Sequence, residues 1–434
     1  MSRDPIPRVR DQLAAVAEKG DNWPSFATAA SAIIGRHVAF DRCCWHSVDP
    51  GTVLFTGSAH KDVGCSGTWL AEHEYVIEDV NKWWFLARSG RLAGATSIAT
   101  YGDLRRSARH RSHEAIGVGD ELRGSFVLDG VYWGAVGLLR NEGEPFFTTE
   151  EVKLLESLSP ILAEGFRRAL LAPPTKQPLQ HDDVPGVVVF DAAGAPESVS
   201  PAAQFWIEQL AESPAPASPA QSFIVEQIAA AARALPEGHD PLGLAARARV
   251  RTTTGRWLLM YGTRLTGGVQ GRTAVIIQPA PHSEIVPIIA LVYGLTARER
   301  EISQLCLQGL ATKAIADALR ISQYTVQDHL KAIFGKTGAR SRGELVGRIF
   351  LGTTCRAGNR PPMLRTDGMA SKRHRRASPK HSAWPAAARD ENALRDARVG
   401  AHAGSQPSLS LWRSRHRFHS CVDTGPENST APIH

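Results

Sequence analysis

Gln327, Asp328 and Lys331 lie in a segment whose apolar residues, Val326, Leu330, Ile333 and Phe334, recur at i, i+4, i+7 and i+8. That spacing puts the apolar side chains on one stripe of a helix. With successive residues turned by about 100°, Tyr324, Gln327, Asp328, Lys331 and Gly335 point the opposite way. The chemistry of this outer ridge is hydrogen bonding rather than catalysis. A carboxamide such as Gln327 can pair with adenine N6 and N7, and a carboxylate such as Asp328 can accept from cytosine N4. The Lys331 ammonium can reach guanine or a phosphate.

Such a ridge works only if neighbouring elements hold it, and the flanking sequence supplies their signals. Thr296 with Glu299 forms a capping box that opens a first helix, which Gly309 closes. Thr312 is expected to cap a short second helix over Lys313 to Leu319. Arg320-Ile321 makes the turn, Ser322 caps a third helix running to about Lys336, and Gly338 breaks it. Ser341 with Glu344 opens a fourth helix carrying Leu345, Val346, Ile349 and Phe350. A short helix, a tight turn and a longer helix with a polar outer face is the arrangement that lays a helix in the DNA major groove. Residues 287–352 carry 9 Lys and Arg against 5 Asp and Glu. This surplus would attract phosphates whatever the base sequence.

The same residues resemble the LuxR-type helix-turn-helix. The matching elements are Leu295-Thr-x-Arg-Glu-x-Glu-Ile, Gly309, Lys313-x-Ile-Ala-x-x-Leu, Ile321-Ser-x-x-Thr-Val-x-x-His-Leu-x-x-Ile-Phe-x-Lys336 and Ser341-Arg-x-Glu-Leu-Val346. The resemblance implies that the helix from Gln323 reads DNA, that Lys313 and Thr325 sit near phosphates, and that the last helix helps dimerise. The expected DNA-binding set is Lys313, Ser322, Gln323, Tyr324, Thr325, Gln327, Asp328 and Lys331. Many members carry Lys where this chain has Gln327, and Asp328 adds a negative charge, so base preference is not transferable from relatives.

The rest of the chain is longer than one domain. At 434 residues, 43% hydrophobic and 21% charged, it can bury several cores. A helix is expected over Arg8–Ala17 and strands at Val53–Phe55, Gly124–Asp129 and Val131–Leu139, the last two joined by an Asp129-Gly130 hairpin turn. A long helix follows from a capping box at Thr148 and Glu151 and ends before Pro173-Pro174. The run Gly130-Val-Tyr-Trp-Gly-Ala-Val-Gly-Leu, followed by Pro145-Phe-Phe-Thr-Thr-Glu-Glu, resembles the end of a GAF domain. That resemblance implies an α/β ligand-sensing module with a central antiparallel sheet.

After a polar linker, Val187–Gly194 reads as a strand and turn. Helices over Pro201–Leu210 and Phe223–Leu235 flank the Ala/Pro/Ser stretch 213–220, and strands follow at Trp257–Gly262 and Thr273–Gln278. This order resembles a PAS-like domain, another sensory fold. The expected fold is α+β multidomain: a GAF-like sensor (1–172), a linker (173–183), a PAS-like domain (184–282) and a four-helix LuxR-type helix-turn-helix (287–352). A basic disordered tail (353–434) follows, functional or an unnatural extension. The tail holds 14 Lys and Arg against 6 Asp and Glu, leaving 36 and 37 elsewhere, so the overall charge of +7 belongs to the tail and argues nothing about DNA.

Other chemistries lack their signatures. Cys43-Cys44-x-His46 with His60 and Cys65 hints at a metal or redox site but lacks paired zinc half-sites, and small buried thiols explain it better. Trp69, Trp83, Trp84 and Phe85 read as core or interface more readily than as a sensor pocket. No phosphate-binding loop, phosphoreceiver arrangement, Gly-x-Ser-x-Gly elbow or His-Glu-x-x-His is present, so neither catalysis nor a cofactor is expected. Six cysteines are too few for a disulfide scaffold, and no run approaches the roughly 18 apolar residues of a membrane span. The expectation is a cytoplasmic regulator that binds double-stranded DNA as a homodimer, with a small-molecule effector in the GAF-like domain. A signalling or scaffold protein whose helical end mediates protein contacts is the alternative.

Overall fold

The computed structural model describes residues 6–63, 66–176, 183–213, 222–234, 246–267 and 271–350. All of them fall in one compact unit, Met1–Met363. Helices α1 (Ile6–Lys19) and α2 (Trp23–Ile34) precede strands β1 (Arg42–Val48) and β2 (Phe55–Lys61). Short elements follow: α3 (Gly67–Ala71), α4 (Trp83–Ser89), β3 (Ala93–Ala95), α5 (Thr96–Ala99) and α6 (Ala108–Glu114). Strands β4 (Val118–Leu128) and β5 (Val131–Asn141) then lead into α7 (Thr149–Ala169).

Asp129 and Gly130 both take positive φ, 52° and 75°, the conformation a two-residue hairpin needs to match the strand twist. The β4–β5 hairpin they close is the centre of an antiparallel sheet ordered β3-β4-β5-β1-β2. Helices α1, α2 and α7 cover one face. Thr148 and Glu151 cap α7 reciprocally, as their spacing predicts. Residues 49–53, by contrast, form a turn, with Val53 at φ 60° and the Asp49 N–H donating to the Leu54 carbonyl, so β2 starts at Phe55 rather than Val53. Gly165 of α7 leaves no room for a side chain: a Cβ there would lie 2.0 Å from Phe26 Cζ. Helix propensity alone would make Gly165→Ala stabilising by about 1 kcal/mol. Overpacking against the buried Phe26 instead predicts a net loss of about 1–3 kcal/mol, read as a lower urea midpoint at unchanged m-value.

The opposite face of this sheet buries charge. Arg109 bonds Glu121 at 2.5 Å and Asp79 at 3.4 Å, while Arg123 bonds Glu121 at 2.8 Å and Glu74 at 2.9 Å. Three of the four clustered aromatics are held by the fold, as a core or interface reading expects, and the fourth is exposed. Trp83 is buried and donates its indole N–H to the Val136 carbonyl, Trp84 donates to the Glu74 carbonyl, Trp69 stacks on His73 and His113, and Phe85 is exposed. Cys43 and Cys44, successive on β1, pack into the cores on opposite faces of the sheet. Both are free thiols, and no group of His, Cys, Asp and Glu among the described residues is arranged to hold a metal. Cys65 lies outside the described residues.

The second sheet is built from β6 (Gly186–Phe190), β7 (Pro196–Val199), β9 (Arg247–Arg251), β10 (Trp257–Arg264) and β11 (Thr273–Pro279), in the order β7-β6-β11-β10-β9. Its helices α8 (Pro201–Ile207) and α9 (Phe223–Ala234) fall between the second and third of these strands in sequence. Between α8 and α9, β8 (Glu212–Ser213) pairs in parallel with β2 and so extends the first sheet. Residues 214–221, most of the Ala/Pro/Ser stretch, lie outside the described residues.

Helix α9 packs on β10 and β11 and also on β2 and α3. Its Gln227 amide donates to the Phe55 carbonyl and accepts from the Phe55 N–H. A buried Asp49–Arg249 pair, bidentate at 2.6 and 2.9 Å, joins the two sheets again. Five helices end the described chain: α10 (His282–Val292), α11 (Ala297–Leu307), α12 (Thr312–Leu319), α13 (Gln323–Thr337) and α14 (Arg342–Phe350). The apolar residues of α10–α14 are continuous with the core beneath α1, α2 and α7. Among the described residues no helix is long and apolar enough to cross a membrane. The tail expected over 353–434 lies outside them.

Candidate nucleic-acid interface

Thr296 and Glu299 cap α11 reciprocally, and Lys336 of α13 reaches back to Glu299 at 2.7 Å and to the Gly294 carbonyl at 3.1 Å. Burial pushes the Glu299 carboxyl up, but Lys336 and Thr296 outweigh it and hold the group below its ordinary value. This bond ties the C-terminal half of α13 to the first helix. The predicted Thr312 cap is not formed. Helix α12 begins at Thr312 with Ala311 as its cap residue, and the Thr312 hydroxyl accepts from Arg342 at 2.8 Å.

The turn is made by Arg320, which sits in the left-handed region at φ 53°, ψ 48°, while the Ile321 N–H closes on the Ala316 carbonyl. An arginine there carries a steric penalty that glycine would escape. Ser322 then caps α13, accepting from the Thr325 N–H at 3.0 Å and bonding its hydroxyl at 2.9 Å. Ser341 caps the start of α14 at Glu344, whose carboxylate accepts from the Arg340 N–H instead of completing the box on Ser341.

Val326, Leu330, Ile333 and Thr337 are the buried positions of α13. They face Ile315 and Ala316 of α12 and Ile302 and Cys306 of α11 in the same core. The other side is open. Tyr324 is 81% exposed, the Lys331 and Asp328 side chains are 79% and 76% exposed, and Gln323, Thr325 and Gln327 are exposed with them. Asp328 and Lys331 face each other at 3.4 Å on this surface. A pair so exposed contributes little and can be exchanged for contacts to a ligand.

Of the nine cations counted in the sequence, five serve the scaffold. Arg298, Arg300, Lys336, Arg342 and Arg348 each donate to a main-chain carbonyl within residues 294–337. The four with exposed side chains are Lys313 on the first turn of α12, Arg320 in the turn, Lys331 on the ridge and Arg340 beyond α13. Sequence reasoning placed Lys313 and Lys331 in the site, gave Arg320 to the turn, and counted Arg320 and Arg340 only within the basic surplus. Arg320 is exposed and has a left-handed backbone, a feature no local pattern of this stretch announces.

A short helix, a tight turn and a second helix whose polar ridge is left open by the described residues define a helix-turn-helix regulator. Residues 294–348 match the profile of bacterial regulatory proteins of the luxR family. Over 57 residues, 13% of this chain, the sequence is 53% identical to an HTH-type transcriptional regulator from the exeN 3′ region of Aeromonas salmonicida, covering 29% of that protein. Over another 57-residue match it is 47% identical to the monoamine regulon transcriptional regulator of Klebsiella aerogenes, covering 25% of it. With the spore germination protein GerE of Bacillus subtilis it shares 42% over 56 residues, again 13% of this chain but 76% of that one. The chain belongs to the luxR family of bacterial regulatory proteins. It spans less than a third of the first two of these relatives. Among solved structures, the phycoerythrobilin-bound GAF domain of a cyanobacterial phytochrome aligns with 39% of this chain and 98% of its own, at 12% identity and TM-score 0.28.

Proposed function

We propose that the chain is a sequence-specific transcriptional regulator that binds duplex DNA with α13 in the major groove. The observation that carries this reading is the uncovered ridge of α13, stiffened from behind by Val326, Leu330 and Ile333 and pinned by Lys336 to α11. In this reading Gln327 and Asp328 meet base edges, Lys331 meets guanine or a phosphate, and Gln323 and Tyr324 lie along the groove. Lys313, Ser322 and Thr325, with Arg320 and Arg340, face phosphates. The protein acts as a homodimer on DNA through α14, whose Leu345 and Ile349 are buried while Gly347 faces open space. A small-molecule effector sensed by the N-terminal GAF-like segment, 1–172, sets the balance between active and inactive states, with 184–282 as a PAS-like relay and 287–352 as the DNA-binding segment.

Genomic footprinting with the purified chain, followed by gel shifts on the recovered sites, tests the proposal. Gln327→Ala and Lys331→Ala should each weaken specific binding by about 1–3 kcal/mol. Both side chains are exposed, so melting temperatures should stay near that of the parent chain. A paired half-site in the footprint supports the dimer, and a single half-site overturns it. Absence of duplex binding at every salt concentration, with the fold intact, would leave the protein-contact reading of the helical module in its place.

A further inference from the structure

A cleft of about 580 Å³ opens where the start of α2, the end of α7, α8 and the Thr252–Thr253 turn meet. None of its lining residues belongs to the α13 ridge or to the buried charge cluster of the first sheet. Its volume is that of a small-molecule site, which typically spans about 300–1,000 Å³.

One wall is apolar and rigid. The Trp23 indole, backed by the Phe166 ring at 5.8 Å, stands with Leu170, Ile207 and Leu210 around the interior. The opposite rim is cationic. The N–H groups of Thr175 and Lys176 both donate to the Thr253 carbonyl, at 2.8 and 3.2 Å, which fixes Lys176 on the same rim as Arg251. Two carboxylates also line the cleft, at the end of α8 and just beyond it. Glu212 is held by the Ser222 hydroxyl and the Ile224 N–H, both at 2.8 Å, and burial raises its carboxyl and disfavours its charge. Glu208 lies on α8 and accepts from the Gln204 amide. An apolar chamber with cations at one edge suits a molecule with an apolar body and one anionic end.

We propose that this cleft binds an amphipathic organic acid, with its body against Trp23, Leu170, Ile207 and Leu210 and its carboxylate toward Lys176 and Arg251. The location gives occupancy a mechanical consequence. Ala169, in the wall, is two residues past Arg167, whose guanidinium donates at 2.6 Å to the Val292 carbonyl at the end of α10. That bond ties α7 to the helix entering the four-helix module.

The test uses the full chain without DNA, so its outcome is independent of whether α13 reads a groove. The fluorescence of 8-anilinonaphthalene-1-sulfonate should rise saturably and be displaced by decanoate about tenfold more effectively than by decan-1-ol. Ala211→Trp fills the cleft from its half-buried rim and should abolish the saturable signal while the melting temperature holds. Glu208→Trp, on an exposed turn of the same wall, provides a second plug should the first variant not fold. Lys176→Ala combined with Arg251→Ala should equalise acid and alcohol. Absence of saturable binding, binding that survives a folded plug variant, or equal displacement by acid and alcohol in the parent chain would each overturn the proposal.

Discussion

Replacing Arg123 by methionine is expected to cost about 3–5 kcal/mol of folding stability, because it removes one side of a buried ion pair and leaves the other charged. Arg123 is 1% exposed, bonds Glu121 and Glu74, and lays its guanidinium 3.7 Å from the centre of the Trp83 ring. Glu121 shows how tightly the cluster is coupled. Burial pushes its carboxyl up, yet Arg109 and Arg123 outweigh burial and hold it well below the usual carboxylate range. Methionine matches the length of the arginine stem but offers no donor, so the buried Glu74 would lose its ion-pair partner while Glu121 would keep only Arg109. A loss of this size is a large part of the roughly 5–15 kcal/mol that holds a typical domain together. Urea denaturation of Arg123→Met, and of Arg123→Met combined with Glu74→Gln, is the measurement. The double variant should lose less than the sum of the singles, because the second change removes the charge the first one strands. A single-variant loss below about 1 kcal/mol would mean that water reaches the cluster.

Acid should weaken the fold in a pH range above that of ordinary carboxylates. Burial lowers His113 to about 4, outweighing Glu121, and its ring stacks on Trp69 at 4.8 Å. Burial also lowers His46 well below its ordinary value, assisted by His60 and Arg123, with its ring packed against Phe55, Trp83 and Phe223. A histidine depressed in the folded state binds its proton more readily when unfolded. Its contribution to stability is therefore complete above the unfolded value near 6.5 and is lost as pH falls from there toward the folded value.

For His113 that window runs from about 6.5 down to about 4, and the integrated loss is on the order of 3 kcal/mol. The buried carboxyls of Glu74, Glu212 and Glu226 are raised by burial and act in the opposite sense at the acid end. The sharp measurement is a difference: urea stability of the parent chain and of His113→Gln from pH 8 to pH 5, in which shared carboxyl contributions cancel. The variant should show the shallower pH dependence. Parallel curves would show that His113 takes up its proton without loss in the folded state. Because His46 stacks on Phe223 of α9, the same acid range should also loosen the join between the two sheets.

How much of this was legible in advance depends on the distance over which each feature is decided. The caps of α7, α11 and α13 and the Asp129-Gly130 hairpin are settled within four residues, and the structure forms each where the spelling indicates. The Thr312 cap is not formed because Ala311 occupies the cap position and Thr312 is already helical, and its hydroxyl accepts instead from Arg342, 30 residues away. Strand β1 escaped notice because it is buried almost throughout, so Arg42-Cys-Cys-Trp-His-Ser-Val48 shows no alternation of apolar and polar residues. Strand β9 does alternate, but its apolar positions are only Ala248 and Val250, and its Arg249 is buried by a carboxylate 200 residues earlier in the chain.

Local spacing was enough to define the helix-turn-helix and its ridge. Helical periodicity assigns Gln327, Asp328 and Lys331 to the side away from Val326, Leu330 and Ile333, which the fold buries. Packing between distant segments set which cations remain available to a polyanion, because main-chain carbonyls compete for their N–H donors and five of the nine are taken. It also decided that α9 serves two sheets and that a cleft stands beside α7. Both arise from surfaces that meet only after distant segments have packed, and no periodicity within one segment records which partner will cover it.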